Sequence, residues 1–103
     1  MQELIDKVVT IVTTAGDVIG QVESIEDGII KLHKPRLFYT VNDQQGNGQL
    51  ALAPSISATA TPFVSTAWVS VNGVVSVSYA SDDATLAWQG SNKPEITSVS
   101  QTH

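Results

Sequence analysis

Val8–Leu32, VVTIVTTAGDVIGQVESIEDGIIKL, is the stretch whose reading decides the fold. Val8 to Thr14 is rich in β-branched residues, which suit a pleated surface. In Ala15-Gly16-Asp17, Gly16 can supply the positive φ of a hairpin turn. Val18 to Ile25 resumes the strand pattern, with Val18 and Val22 on one face and Gln21 and Glu23 on the other. Gly20, inside this strand, predicts a sharp bend or a close backbone approach. Glu26-Asp27-Gly28 reads as a second turn, and Ile29 to His33 begins a third strand. A bent meander of short strands is how a small barrel starts to close.

Working outward, the third strand continues past Lys34-Pro35. Proline cannot donate to a ladder, so Pro35 predicts a bulge or an unpaired edge position. Leu37, Tyr39 and Val41 alternate with Arg36, Phe38 and Thr40. Asn42 to Gly48 is a polar loop, and Gln49 to Ile56 reads as a fourth strand, making an extended hairpin with the third. Ser57 to Thr66, small and polar with Pro62, reads as a loop that can hold extended pieces. Trp68 to Tyr79 reads as a two-residue hairpin, because Asn72-Gly73 favours a type I′ turn. Its predicted faces are Val69, Val71 and Val74 on one side and Trp68, Val75, Val77 and Tyr79 on the other. Two apolar faces and a free edge require cover from outside the hairpin.

The two ends of the chain read more simply. Ser81-Asp82-Asp83 caps a short helix over Ala84–Gln89 that Gly90 stops, with Leu86 and Trp88 on different faces. Met1 to Asp6 is a turn or short helix, with Leu4 and Ile5 over one end of the barrel. Residues 1–90 thus form one domain. Residues 91–103 form a polar tail, in which Ile96 and Val99 offer an edge strand.

The 103-residue chain has no cysteine, so no disulfide or thiolate metal site is available. Charged residues are 15% of the chain and its net charge is −5. That acidity argues against broad nucleic-acid binding, which depends on cations meeting phosphates. No apolar run approaches the roughly 20 residues of a membrane-spanning helix, and no leader pattern opens the sequence, so a cytoplasmic protein is expected. A catalyst is not expected either. His33 and His103 are the only histidines, the serines lack a nucleophile elbow, and no phosphate-loop motif occurs. Glu26-Asp27 reads as a turn and Asp82-Asp83 as a cap. Gly46-Asn47-Gly48 is a loop tip with no helix start behind it. No cofactor and no metal are implied.

One basic cluster stands out. Lys31, Lys34 and Arg36, three of the five Lys and Arg residues, fall together with His33. Phe38 and Tyr39 follow and could stack a base. The competing reading is the solvated face and edge protection of the third strand.

The order of hydrophobic strand, glycine, short spacer, glycine, hydrophobic strand, acidic turn and hydrophobic strand resembles the first motif of Sm/LSm proteins, bacterial Hfq included. Val69-Ser70-Val71-Asn72-Gly73 sits where that family has apolar-x-apolar-Arg-Gly. Gly16-Asp17-Val18-Ile19-Gly20, then Lys34-Pro35-Arg36 and Gly48-Gln49…Pro54, is most similar to LSm-like proteins encoded by marine phages. The resemblance covers roughly residues 7–90. It implies an all-β fold with at most short terminal helices: a strongly bent five-stranded Sm-like or SH3-like small barrel, with an extended hairpin between its third and fourth strands.

The resemblance also implies a homo-oligomeric ring, roughly five to seven subunits by closed cyclic symmetry, that binds single-stranded RNA or DNA. The candidate residues are Lys31, His33, Lys34, Arg36, Phe38, Tyr39, Asn72 and Gly73. The family stacks a base on an aromatic residue of an acidic-x-aromatic-x-Asn loop, but here that loop is Glu26-Asp27-Gly28-Ile29-Ile30. Asn72 stands in place of the Arg, though Asn can still pair with a base edge. The alternative function is a structural or protein-interaction ring, assembled by β-edge pairing without nucleic acid.

Overall fold

The computed structural model describes residues 1–14, 16–53, 61–91 and 97–98. Its strands are β1 (Val8–Thr13), β2 (Gly16–Glu26), β3 (Ile29–Asn42), β4 (Gly48–Ala53), β5 (Thr66–Ser70), β6 (Val74–Tyr79) and β7 (Thr97–Ser98). One helix, α1, spans Asp82–Gln89, and 3-10 turns cover Gln2–Leu4 and Val71–Gly73. The all-β class is as expected. Every strand pairing is antiparallel, in the order β6-β1-β2-β3-β4-β7, with β5 beside β3.

The sheet is not closed into a barrel. β3 is long enough to serve two partners along one edge. Ile29–His33 pairs with β5, whereas Leu37–Asn42 pairs with β4. The changeover falls at Lys34-Pro35, the predicted bulge, where Lys34 adopts φ +54° and its N–H bonds Ser65 O at 2.8 Å. Opposite this point the β2–β3 register shifts around Gly20. A Cβ on Gly20 would lie 3.3 Å from His33 O and 3.4 Å from Leu32 Cβ, so the bend needs glycine.

The 68–79 segment departs from the expected hairpin. β5 and β6 do not pair with each other; β5 bonds β3 and β6 bonds β1. A type I′ turn needs positive φ at both central residues, and neither Asn72 nor Gly73 has it. Instead Val71–Gly73 forms a 3-10 turn, in which Ser70 Oγ accepts from Asn72 N–H. Val71 packs against the core, and its N–H bonds Gly28 O at 2.9 Å. Burial of Val71 thus outweighs the local turn preference. The positive-φ pair lies at Asp27 (φ 54°) and Gly28 (φ 75°), between the paired residues Glu26 and Ile29.

The predicted faces shift as well. Val77 joins Val69, Val71 and Val74 against the core, while Trp68, Val75 and Tyr79 remain exposed. The cause is a bulge: β6 pairs Ser76 with Val12 but Val74 with Thr13, so Val75 is extra and the pleat parity changes. Gly16 has the expected positive φ (144°), but it opens β2, paired with Thr13, rather than sitting in the turn.

Two apolar clusters hold the fold. The first contains Leu4, Val9, Ile11, Val22, Ile30 and Leu32, with the partly buried Ile5 packed against it. The second contains Ile19, Leu52, Ala84, Ala87 and Trp88, where α1 packs on the sheet. Ser81 Oγ caps α1 by accepting from Ala84 N–H at 3.2 Å. Trp88 is buried and Leu86 exposed, so the two do occupy different faces. Packing continues past residue 90, since Ser91 is buried and its Oγ donates to Trp88 O. Thr97–Ser98 pairs with Leu52–Ala51 of β4. The expectations on Ala15, Pro54–Ile56, Ser57–Ala60, Ile96 and Val99 lie outside the described residues.

Candidate functional site: the cationic bulge and the open edges

The basic cluster divides at the bulge. Lys31 and His33 stay partly exposed on one face of β3 and share an acid. Lys31 Nζ lies 3.4 Å from Glu23 Oε2, and His33 Nδ1 lies 3.7 Å from Glu23 Oε1. Glu23 is the bulged residue of β2, since Val22 pairs with Leu32 and Ser24 with Lys31, and this places it between the two. An exposed pair of this kind contributes little, roughly 0–1 kcal/mol.

Lys34 and Arg36 turn inward. Lys34 is 8% exposed and Arg36 3%. Lys34 Nζ donates to Gln89 O at 3.2 Å and lies 4.8 Å from the Trp88 ring centroid. Trp88 Nε1–H returns a bond to Lys34 O at 2.8 Å. Arg36 Nε donates to Ser91 O, and its Nη1 to Pro35 O and Val64 O, with the Phe63 ring 5.5 Å away. The cations thus satisfy carbonyls at and just past the C-terminus of α1, where the helix dipole favours positive charge. Burial pushes the Lys34 ammonium below its ordinary range, and the Arg36 charge adds to this. Burial alone lowers Arg36.

The remaining candidates are dispersed. Phe38 is partly buried against the α1 cluster. Tyr39 is 37% exposed, further along β3. Asn72 and Gly73 are exposed beside the Asp27–Gly28 turn, which Val71 touches. The structure therefore brings the 26–28 and 71–73 turns together, while Lys34 and Arg36 turn inward at the bulge.

Two features escaped sequence reasoning. Phe63, with φ +58°, covers Arg36 from a segment in which no site residue was expected. A shallow groove is formed by Ser24, Glu26, Asp27, Ile29, Lys31 and Trp68. Its pairing of Trp68 with Lys31 depends on β5 lying beside β3, which local pattern does not reveal.

The open edges are the other candidate surface. Among the described residues, β5 pairs only with β3 and β6 only with β1. Trp68 and Val75 are each 66% exposed and Tyr79 is 60% exposed. β4, by contrast, is partnered at Ala51 and Leu52 by β7. No group of metal-ligating side chains occurs among the described residues. No protein-family model matches the chain, and no curated protein matches it.

Proposed function

We propose that this chain is a non-catalytic, Sm-like module that assembles with its own copies into a closed ring and acts as a structural or protein-interaction platform. One observation carries the reading: among the described residues three strands have a single partner, β5, β6 and the two-residue β7, and the longer two, β5 and β6, are flanked by exposed apolar side chains. Two unlike edges on one subunit define a head-to-tail contact, which closes into a ring when the rotation per subunit allows. β5 has five residues and β6 six, so one edge matches the other in length. The Val75 bulge limits the registers in which β6 can pair, which favours one defined neighbour over open aggregation. Roughly five to seven subunits are expected for a closed ring of this kind.

The test is a proline in the β6 edge. Ala80 N–H bonds Val8 O, so strand alternation turns the Tyr79 N–H away from β1. Tyr79→Pro therefore removes an outward donor and leaves the ladder to β1 intact. Light scattering at micromolar concentration should give a ring for the wild type and a monomer for Tyr79→Pro. A monomeric wild type overturns the proposal.

A second reading, binding of single-stranded RNA or DNA by the ring, draws support from the meeting of the 26–28 and 71–73 turns. It is tested by titrating RNA and DNA oligomers at low and moderate salt. Binding that weakens in Lys31→Ala, and falls as salt rises, supports it. No binding at low salt removes it.

A further inference from the structure

We propose that the groove between the Lys34-Pro35 bulge and the Phe63–Ser65 segment binds a phosphate-type oxyanion. The groove is lined by His33, Lys34, Arg36, Phe63, Val64 and Ser65, with a volume of about 200 Å³. That is below the roughly 300–1,000 Å³ of pockets that enclose drug-sized ligands, and it suits one small ionic group.

Three independent features converge on it. First, Lys34 and Arg36 are both more than nine-tenths buried, yet neither has an ion pair among the described residues. Their contacts are neutral carbonyls and aromatic rings. Those contacts use one Lys34 and three Arg36 N–H groups and leave two adjacent positive charges without a counter-charge among the described residues, which is costly in a low-dielectric site. Second, the backbone is strained on both sides. Lys34 (φ 54°) and Phe63 (φ 58°) are in the left-handed region, which bulky side chains rarely adopt. Strain of this kind is retained where the surrounding structure holds a site in place. Third, donors stand at the rim: the half-exposed His33 imidazole and the exposed Ser65. The chain's net charge of −5 confines anion affinity to such a local site.

The C-terminus of α1 provides the competing account, in which both cations serve only its carbonyls. The carbonyls and dipole of that helix end supply only about half a negative charge for two cations, whereas an oxyanion supplies a full one. The proposal does not depend on ring assembly and holds for a monomer as well.

The test uses the intact chain, with inorganic phosphate as probe against chloride at equal ionic strength. Saturable shifts of the Arg36 Nε–H and Ser65 amide resonances at millimolar phosphate, with a raised melting temperature, are the expected result. Lys34→Met keeps the apolar stem over Trp88 and should weaken phosphate binding about tenfold or more, while a change at the exposed Lys7, Lys7→Met, should leave it unchanged. If Lys34→Met does not fold, the wild-type shift map decides alone. A second arm uses an oligothymidylate lacking terminal phosphates. Groove shifts from both probes identify a site for any phosphate group; shifts from phosphate alone identify a site for a monoester or the free ion. No saturable shift at Arg36 and Ser65, or equal affinity in folded Lys34→Met, overturns the proposal.

Discussion

Arg36 is held by oxygen atoms from three separate parts of the chain: Pro35 beside it, Val64 before β5 and Ser91 after α1. Replacing it with methionine fills much of the volume but strands those carbonyls. Arg36→Met should cost on the order of 3 kcal/mol, read from urea unfolding; a cost under about 1 kcal/mol would mean that water replaces the guanidinium. Gly20 is constrained differently. Gly20→Ala should cost about 1–3 kcal/mol by overpacking against His33 O. Asp43 sets a pH dependence. N–H groups of Asn47, then Gln45, bond its carboxylate and hold its pKa below the ordinary aspartate range. A depressed folded pKa adds stability above the unfolded value and loses it as pH falls through the folded one. The stability gap between wild type and Asp43→Ala should therefore be constant near neutrality and shrink below about pH 4. At this scale the sequence was only partly legible. It placed Lys34 and Arg36 on a bulged strand. It could not say which way they point, because the bulge resets side-chain parity.

Among the elements, α1 is short and depends on its ends. Ser81→Ala removes the N-cap acceptor and should cost about 1 kcal/mol. Trp88→Phe keeps the apolar contact and loses the bond to Lys34 O, about 1 kcal/mol more. Thermal unfolding of the two variants checks both, and a near-zero effect at Trp88 would detach the helix from the bulge. The elements most readable in sequence were those with local causes. The Val8–Ile25 strands, the Asp27-Gly28 turn and the Ser81 cap all follow from neighbouring residues. The Asn72-Gly73 turn failed the same logic. Its local preference is real, but Val71 gains more by entering the core and bonding Gly28 than a hairpin offers. The pairing of β5 with β3 was invisible for a related reason, since long-range register carries no signature in either strand alone.

At the scale of the whole molecule, one bent sheet leaves its two longer end strands, β5 and β6, each without a second neighbour among the described residues. A long, exposed apolar edge is an aggregation hazard unless something specific covers it. Trp68, Val75 and Tyr79 supply apolar surface beside those edges, and the chain holds a complementary edge for each in a second copy of itself. The most direct measurement is amide hydrogen exchange at Tyr79, whose N–H points away from β1, at micromolar concentration and on dilution. Edge pairing predicts protection comparable to the β1 amides, lost as the protein is diluted. Exchange at the rate of an open peptide, in a particle of 10.9 kDa, would contradict it.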